Sequence, residues 1–323
     1  MNFSRISNKI INLKNQIYFD LGVPFTKINS NCKNLIFMYH GISTNRSNPF
    51  NARHTYIKDF ENQIKYFKKH FNILTVKDFF DHKIDDSKLN IAITFDDGYL
   101  NNLQYALPIL EKYQVPASIY TTCLFEEDNP YIWADFLQIT TFYGKDSYEF
   151  GGELYYKKGS QYLRFIDHKS LLSIVKNEKP DYEFKKEIYH KLNDVFERFK
   201  SIHFSFWKLM DHDDLIEISK SKYVTIGSHG FYHNNLGVLK LENAENEIRS
   251  SKITLENIIQ KEIEEIAYPD GSFNEKLINS ATRLGLHYQL GTENNEINNF
   301  KNHPNIKGRK GIYQCSSWGN QLL

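Results

Sequence analysis

A parallel α/β fold, open or closed into a barrel, is what this chain of 323 residues predicts, on three observations. From residue 35 onward, short β-rich apolar runs alternate with amphipathic helical patterns, the order that parallel strands with crossover helices require. The alternation breaks between about 124 and 215 and then resumes, so a helix-rich insertion interrupts one main domain. Polar residues suited to chemistry stand just after predicted strands, at the ends where parallel folds collect their ligands.

Residues 1–34 form an N-terminal segment in which Ile6, Ile10, Leu13, Ile17 and Leu21 recur at helical spacing, with Arg5, Lys9 and Lys14 between them. The simpler reading is a helix packed on its own domain; the alternative is weak contact of residues 5–21 with a membrane surface. The domain proper runs from 35 to 323. "LIFMY" reads as a strand ending at His40, and "TYIKDFENQIKYFKKH" as a helix with Ile57, Phe60, Ile64 and Phe67 on one face. "FNILT" and "IAITF" are strands, "YLNNLQYALPILEKY" a helix that Pro108 kinks, and "ASIYTT" the fourth strand.

Within the insertion at about 124–215, "YEFGGELYYKKGS" reads as a hairpin and "EFKKEIYHKLNDVFERFK" as an amphipathic helix. The acids of "MDHDDL", from Asp211, invite a second metal site but are explained more simply as the start of a helix. "YVTIG", "IEEIAYP" and "LHYQLGT" complete the strands, with "LENAENEIRSSKITLENIIQ" and "NEKLINSATRLG" as the helices between them.

With 40 basic and 39 acidic residues the formal charge is +1, which offers no general electrostatic reason to bind nucleic acid. Cys32, Cys123 and Cys315 are odd in number and outside any CxxC, so neither a disulfide framework nor a cysteine metal site is expected. The first residues lack a signal peptide's apolar core, and no run approaches about 18 uninterrupted apolar residues. The expectation is a cytoplasmic protein with no membrane span, at most peripheral at the inner membrane surface.

Four strand ends carry the chemistry. In "IAITFDDGYLNN", Asp96 and Asp97 are neighbours that repel each other, and Gly98 lets the backbone turn beside them. Taken alone, this is either a functional pair or a turn with a helix-capping Asp. In "IGSHGFYHNNL", His229 and His233 are four apart and would share a face on one helical turn, as ligands of zinc or a similar divalent ion do. Two unrelated histidines among the 12 of this chain are the alternative. "IAYPDGSF" holds Pro269 and Gly271 in a tight loop whose N–H groups either receive an oxyanion or simply form a turn. His40 closes "LIFMYH", where a lone His is usually structural. Convergence on one rim favours function: one carboxylate and two imidazoles make a three-ligand site with open positions, leaving a spare carboxylate.

"TFDDG", "SHGFYH" and "YPDG", in this order, resemble the first three motifs of the polysaccharide deacetylases, carbohydrate esterase family four or the NodB-homology domain. The likeness runs from about 35 to 315, outside the insertion. It implies a distorted (β/α) barrel, with Asp96 as base, Asp97, His229 and His233 as metal ligands, and the Asp270 N–H at the oxyanion within Tyr268, Pro269 and Gly271. "FMYH" is similar to the circularly arranged poly-N-acetylglucosamine deacetylases, which implies His40 as the acid, entering protonated beside a carboxylate. Three departures stand out. The usual L-x-H near the C-terminus, which carries the acid His in the family, is missing, and "FMYH" stands in for it. Gly230 occupies the usual Ser/Thr place of the second motif, so a hydrogen bond steadying that loop is missing. No Arg opens the third motif; Arg309 in "KGRKGIY" could orient the base, an exposed basic cluster being the plainer reading.

The resemblance implies removal of N-acetyl groups from an amino sugar in a glycan, or in a lipid- or nucleotide-linked precursor of capsule or lipopolysaccharide. The cofactor would be a divalent metal, zinc first, with nickel, cobalt, manganese or iron as alternatives. Trp133, Tyr143, Tyr155 and Tyr156 of the insertion either stack on sugar rings or, more simply, form a layer covering the barrel. The rival functions are a non-catalytic carbohydrate-binding relative and a hydrolase of a non-sugar amide.

Overall fold

The structure is a computed structural model describing residues 3–29, 34–46, 50, 52–85, 87–180, 182–293, 299–300, 303–313 and 317–323. Apolar β-branched and aromatic residues dominate the buried strands, as a sheet covered on both faces demands. In chain order the strands are β1 (Leu35–Tyr39), β2 (Ile42–Ser43), β3 (Thr55–Tyr56), β4 (Phe71–Leu74), β5 (Leu89–Phe95) and β6 (Ala117–Thr121). Then come β7 (Ser147–Phe150), β8 (Glu153–Lys158), β9 (Gln161–Arg164), β10 (Val224–Ser228), β11 (Glu265–Ala267), β12 (Tyr288–Leu290), β13 (Ile306–Lys307) and β14 (Lys310–Gly311).

The main sheet is parallel and runs β13-β12-β11-β10-β6-β5-β1-β14, with β4 also paired to β5. Its two ends are neighbours in sequence: β13 pairs with β12 and β14 with β1, with Gly308 and Arg309 between them. The segment 306–311 therefore bridges β12 and β1, and the sheet curls round on itself as a distorted (β/α) barrel. The sequence pattern misses this segment, because two-residue strands carry no periodicity to read.

Helices predicted from apolar spacing form where the pattern places them. Ile57–His70 buries Phe60, Ile64 and Phe67, and Leu241–Ile259 and Glu275–Arg283 follow β10 and β11. Asn274 caps the last by accepting from the Leu277 N–H. Near Pro108 the helix is not simply kinked. Residues Asn102–Ala106 form a π-helical turn that leads into the α-helix Leu107–Tyr113, with Pro108 in its first turn, where a missing N–H is tolerated.

Between β6 and β10 the chain builds a second apolar core. The predicted hairpin is β7–β8, turning at Gly151 and Gly152, and β9 adds a third antiparallel strand. The helices Trp133–Tyr143 and Tyr182–Phe199 pack Phe136, Tyr189 and Phe196 together. Asp211 and Asp214 form a capping box at the start of His212–Ser219, the structural role expected of that acidic run.

The helix Phe3–Asp20 docks through its last turns: Phe19 packs on Tyr66 and Trp318, and Gln16 accepts from the Gly319 N–H. Of its predicted apolar stripe, Ile10, Leu13, Ile17 and Leu21 stay exposed, and the side chain of Ile6 lies outside the described residues. Cys123 is buried against Ser251, while Cys32 and Cys315 lie outside the described residues. Among the described residues no helix is long and apolar enough to cross a membrane.

Candidate active site

After β5 the backbone turns left-handed twice, at Asp97 (φ 73°) and Gly98 (φ 79°). A regular strand would send the two acids to opposite faces. The turn buries both instead, Asp96 at 3% and Asp97 at 0% exposure. Gly98 does not do this alone, as the sequence implied; Asp97 shares the unusual backbone. A Cβ on Gly98 would lie 2.2 Å from Thr121 Oγ1, so glycine is needed for space as well as for φ.

His229 and His233 follow β10 but do not share a helical turn. Gly230 (φ 72°) and His233 (φ 54°) are left-handed, and the N–H groups of Tyr232 and Asn234 donate to Glu247 rather than to carbonyls four residues back. The rings still converge: His229 Nε2 lies 3.4 Å and His233 Nε2 3.2 Å from the same atom, Asp97 Oδ1. The loop that seemed to lack a Ser/Thr brace is braced by the Glu247 carboxylate, and a Cβ at Gly230 would meet that carboxylate at 3.1 Å.

These three side chains fit a divalent ion. Their donor atoms lie within 4.8 Å of one another, all buried. Neither buried Asp97 oxygen has a hydrogen-bond partner among the described residues; Arg53 lies 3.7 Å from Oδ2, and Oδ1, which faces both imidazoles, is left for a divalent ion. His229 Nδ1 sits 2.7 Å from the Ala267 carbonyl; a carbonyl only accepts, so Nδ1 carries the proton and Nε2 of the neutral ring keeps its lone pair for a ligand role. Burial works against protonating His229, but Asp96 and Asp97 outweigh it and hold the ring above its ordinary value.

Arg309 is not part of an exposed basic cluster. It is 1% exposed and grips Asp96 with both arms, Nη1 to Oδ1 at 2.5 Å and Nη2 to Oδ2 at 2.8 Å. The 306–311 bridge carries it into the barrel, where Nε also donates to Gly291 O and Nη1 to Thr94 Oγ1. Burial pushes the Asp96 carboxyl upward, and Arg309 and His229 pull it back below the usual carboxylate value. Asp97 is held well below it: burial again opposes, and Arg53 and the two imidazoles prevail.

His40 directly follows β1, at 6% exposure. The protonated entry state expected for it is not what its surroundings favour: burial, then the charge of Arg53, lower its pKa to about 4, against the pull of Asp97 and Asp96. At the third motif, Asp270 adopts φ 54° between Pro269 and Gly271, and its N–H finds no acceptor among the described residues, whereas Gly271 N–H donates to Tyr268 O. Tyr268 itself belongs to the core. It is fully buried, packs on Phe273 and donates its hydroxyl to Gln289, so its side chain has no share in the pocket surface.

Sequence reasoning missed Arg53, Asp135 and Tyr99. Arg53 lies 3.7 Å from Asp97 Oδ2 and 3.5 Å from Asp135 Oδ1, and the Tyr99 hydroxyl donates to Asp135 Oδ2 at 2.5 Å. Burial pushes Asp135 up to about 7 despite Arg53. The position of Arg53, on the connection between β2 and β3, was a usable signal; its partner Asp135, 82 residues away, was not. A cleft of about 460 Å³ opens beside this network, lined by Arg53, Gln138, Gln161, Lys176, Asp270 and Tyr313 among others. Trp133 and Tyr155 are buried in the second core instead, Tyr143 stacks on Phe199, and Tyr156 bonds His168, so none of the four lines the cleft.

Fold and site define a class of protein: curled parallel α/β barrels that gather a spare carboxylate and an Asp-His-His donor set on the C-terminal rim. The sequence model of the polysaccharide deacetylases matches residues 83–138 and 182–289, about half of the chain. This chain belongs to the polysaccharide deacetylase family. YxkH of Bacillus subtilis (strain 168), a candidate polysaccharide deacetylase, is 36% identical over 89 residues, which span 26% of this chain and 30% of the relative.

Solved structures share the fold. The Streptococcus pyogenes deacetylase PplD, in complex with acetate, superposes with a TM-score of 0.55 at 16% identity, covering 90% of this chain and 97% of PplD. A de-N-acetylase from Aggregatibacter actinomycetemcomitans gives 0.52 at 14% identity, covering 90% and 99%. IcaB from Ammonifex degensii gives 0.51 at 12%, covering 90% and 95%.

Proposed function

We propose that this chain hydrolyses the N-acetyl group of an amino sugar in a glycan or its precursor, with Asp96 as base. The observation that carries this reading is the Asp96 carboxylate, ion-paired to Arg309 and set beside an Asp97-His229-His233 group whose carboxylate has no hydrogen bond among the described residues. Asp97, His229 and His233 would hold a divalent ion, zinc being the first choice for such a donor set. When bound, such an ion polarises a carbonyl and makes water more acidic.

The chain's own groups divide the proton work. Asp96, kept charged by Arg309, accepts a proton from the attacking water. The Asp270 N–H donates to the oxygen that becomes negative as the amide carbon turns tetrahedral. His40, neutral in the resting chain, takes up a proton from solvent as negative charge develops beside it and passes that proton to the leaving amine, while Asp96 gives the proton it took from water back to solvent as acetate leaves. The products are acetate and a free amino sugar.

The cleft beside Arg53 supports a sugar ligand: Gln138 and Gln161 offer amide groups to hydroxyls, and Tyr313, 53% exposed, offers a ring. We read residues 124–215 as an inserted unit. It has its own apolar core, and the family match is interrupted over 139–181.

Asp96→Asn tests the assignment. Acetate release from an N-acetylated hexosamine oligomer should fall by at least a thousandfold while divalent-metal binding is unchanged. Retained turnover would remove Asp96 from the mechanism, and no acetate from any acetylated hexosamine tried with wild type would favour a binding relative or a different amide.

A further inference from the structure

We infer that Lys185 of the inserted unit and Glu247 of the barrel jointly position His233, and so set how tightly the three-residue site holds its ion. This rests on the reading of Asp97, His229 and His233 as metal ligands.

The two imidazoles are oriented differently. His229 is fixed through its own ring, with Nδ1 bonded to Ala267 O. His233 Nδ1 has no partner among the described residues, so its ring is not held from its far side. Its backbone is also in the left-handed region at φ 54°, which a non-glycine residue keeps only where its surroundings enforce it.

The enforcement is a buried polar clamp. Lys185, 2% exposed on the helix Tyr182–Phe199, donates from Nζ to His233 O at 3.1 Å and to Asn234 Oδ1 at 2.5 Å. Glu247, 6% exposed on Leu241–Ile259, accepts from Tyr232 N–H at 3.0 Å and from Asn234 Nδ2 at 2.9 Å. The same loop touches the inserted unit twice more: Tyr232 stacks on Tyr182 with centroids 4.5 Å apart, and Asn235 Nδ2 donates to Lys176 O at 2.9 Å.

A buried ammonium and a buried carboxylate are both costly to desolvate, and here they are spent on one loop. That loop carries the ligand whose ring lacks a brace of its own. The inserted unit thereby becomes a positioning element for the barrel's metal site.

The test is a cobalt(II) and zinc(II) titration of the chelator-treated full chain, followed by calorimetry and by the visible absorption of the cobalt form. Lys185→Met and Asn234→Ala should each weaken binding on the order of 10- to 100-fold, as loss of a ligand's supporting partner typically does. Both should alter the cobalt spectrum while the circular dichroism stays that of wild type. Asn234→Ala leaves Lys185 its contact with His233 O and Glu247 its contact with the Tyr232 N–H, and it carries the test if Lys185→Met fails to fold. Wild-type affinity and an unchanged spectrum in a folded variant would overturn the inference. Absence of binding by wild type would overturn the metal reading and the inference with it.

Discussion

Replacing Arg309 by Met removes the cation from Asp96 and keeps the bulk of its stem. The two side chains are 0% and 4% exposed and share two short contacts, so Asp96 would be left charged and unpaired in the interior. Breaking a buried pair from one side costs about 3–5 kcal/mol. The pH dependence follows from the direction of each shift. In wild type the Asp96 carboxyl lies below its ordinary value, so the pair contributes stability above the unfolded-state pKa and loses it as pH falls.

Without Arg309, burial is the dominant influence and Asp96 takes up a proton instead. The variant therefore loses most at pH 8 and little near pH 4, where a neutral carboxyl can be buried. Urea denaturation of the metal-free chain at both pH values measures this, and the acid limb of kcat/KM on an acetylated oligomer should move to higher pH. Arg309→Lys should recover only part of the effect, because an ammonium lacks the fork that holds both oxygens. A loss below about 1 kcal/mol at pH 8, or equal losses at both pH values, would refute the reasoning.

Two further outcomes are expected. Glu265 is buried, hydrogen-bonded by the Tyr120 hydroxyl at 2.7 Å, and burial raises its pKa from 4.5 to about 7. The native state thus binds the proton more tightly than the unfolded state, and stability falls as pH rises through that window. At about 1.4 kcal/mol per pH unit the gap is roughly 3 kcal/mol, which Glu265→Gln should recover at pH 8 but not at pH 4, as read by urea denaturation. Tyr313→Ala should raise KM for an acetylated oligomer about tenfold or less with little change in kcat, since loss of a stacking ring at the cleft removes binding common to ground and transition states.

What could be read in the sequence was what is local. Asp96, Asp97, His229 and His233 stand directly after strands whose apolar runs mark them, and their placement on one rim follows from parallel topology. What could not be read depends on contacts across long separations. Arg309 reaches Asp96 over 213 residues through two-residue strands with no periodic signal, so its buried role was indistinguishable from a surface basic run. Arg53 finds Asp135, and Lys185 finds His233, only once the segment between β6 and β10 packs against the rest of the chain. The aromatic residues of 124–215 misled for the opposite reason: composition shows that rings are present but not whether they face a ligand or one another.

The central claim is that Asp97, His229 and His233 hold one divalent ion on which acetate release depends. Zinc titration of chelator-treated wild type and of Asp97→Ala, with metal content and acetate release from an N-acetylated hexosamine oligomer measured on the same samples, tests it most directly. The account predicts one equivalent bound with activity restored in step for wild type, and neither in Asp97→Ala. Full activity in the metal-free chain, or one tight equivalent in Asp97→Ala, would contradict it.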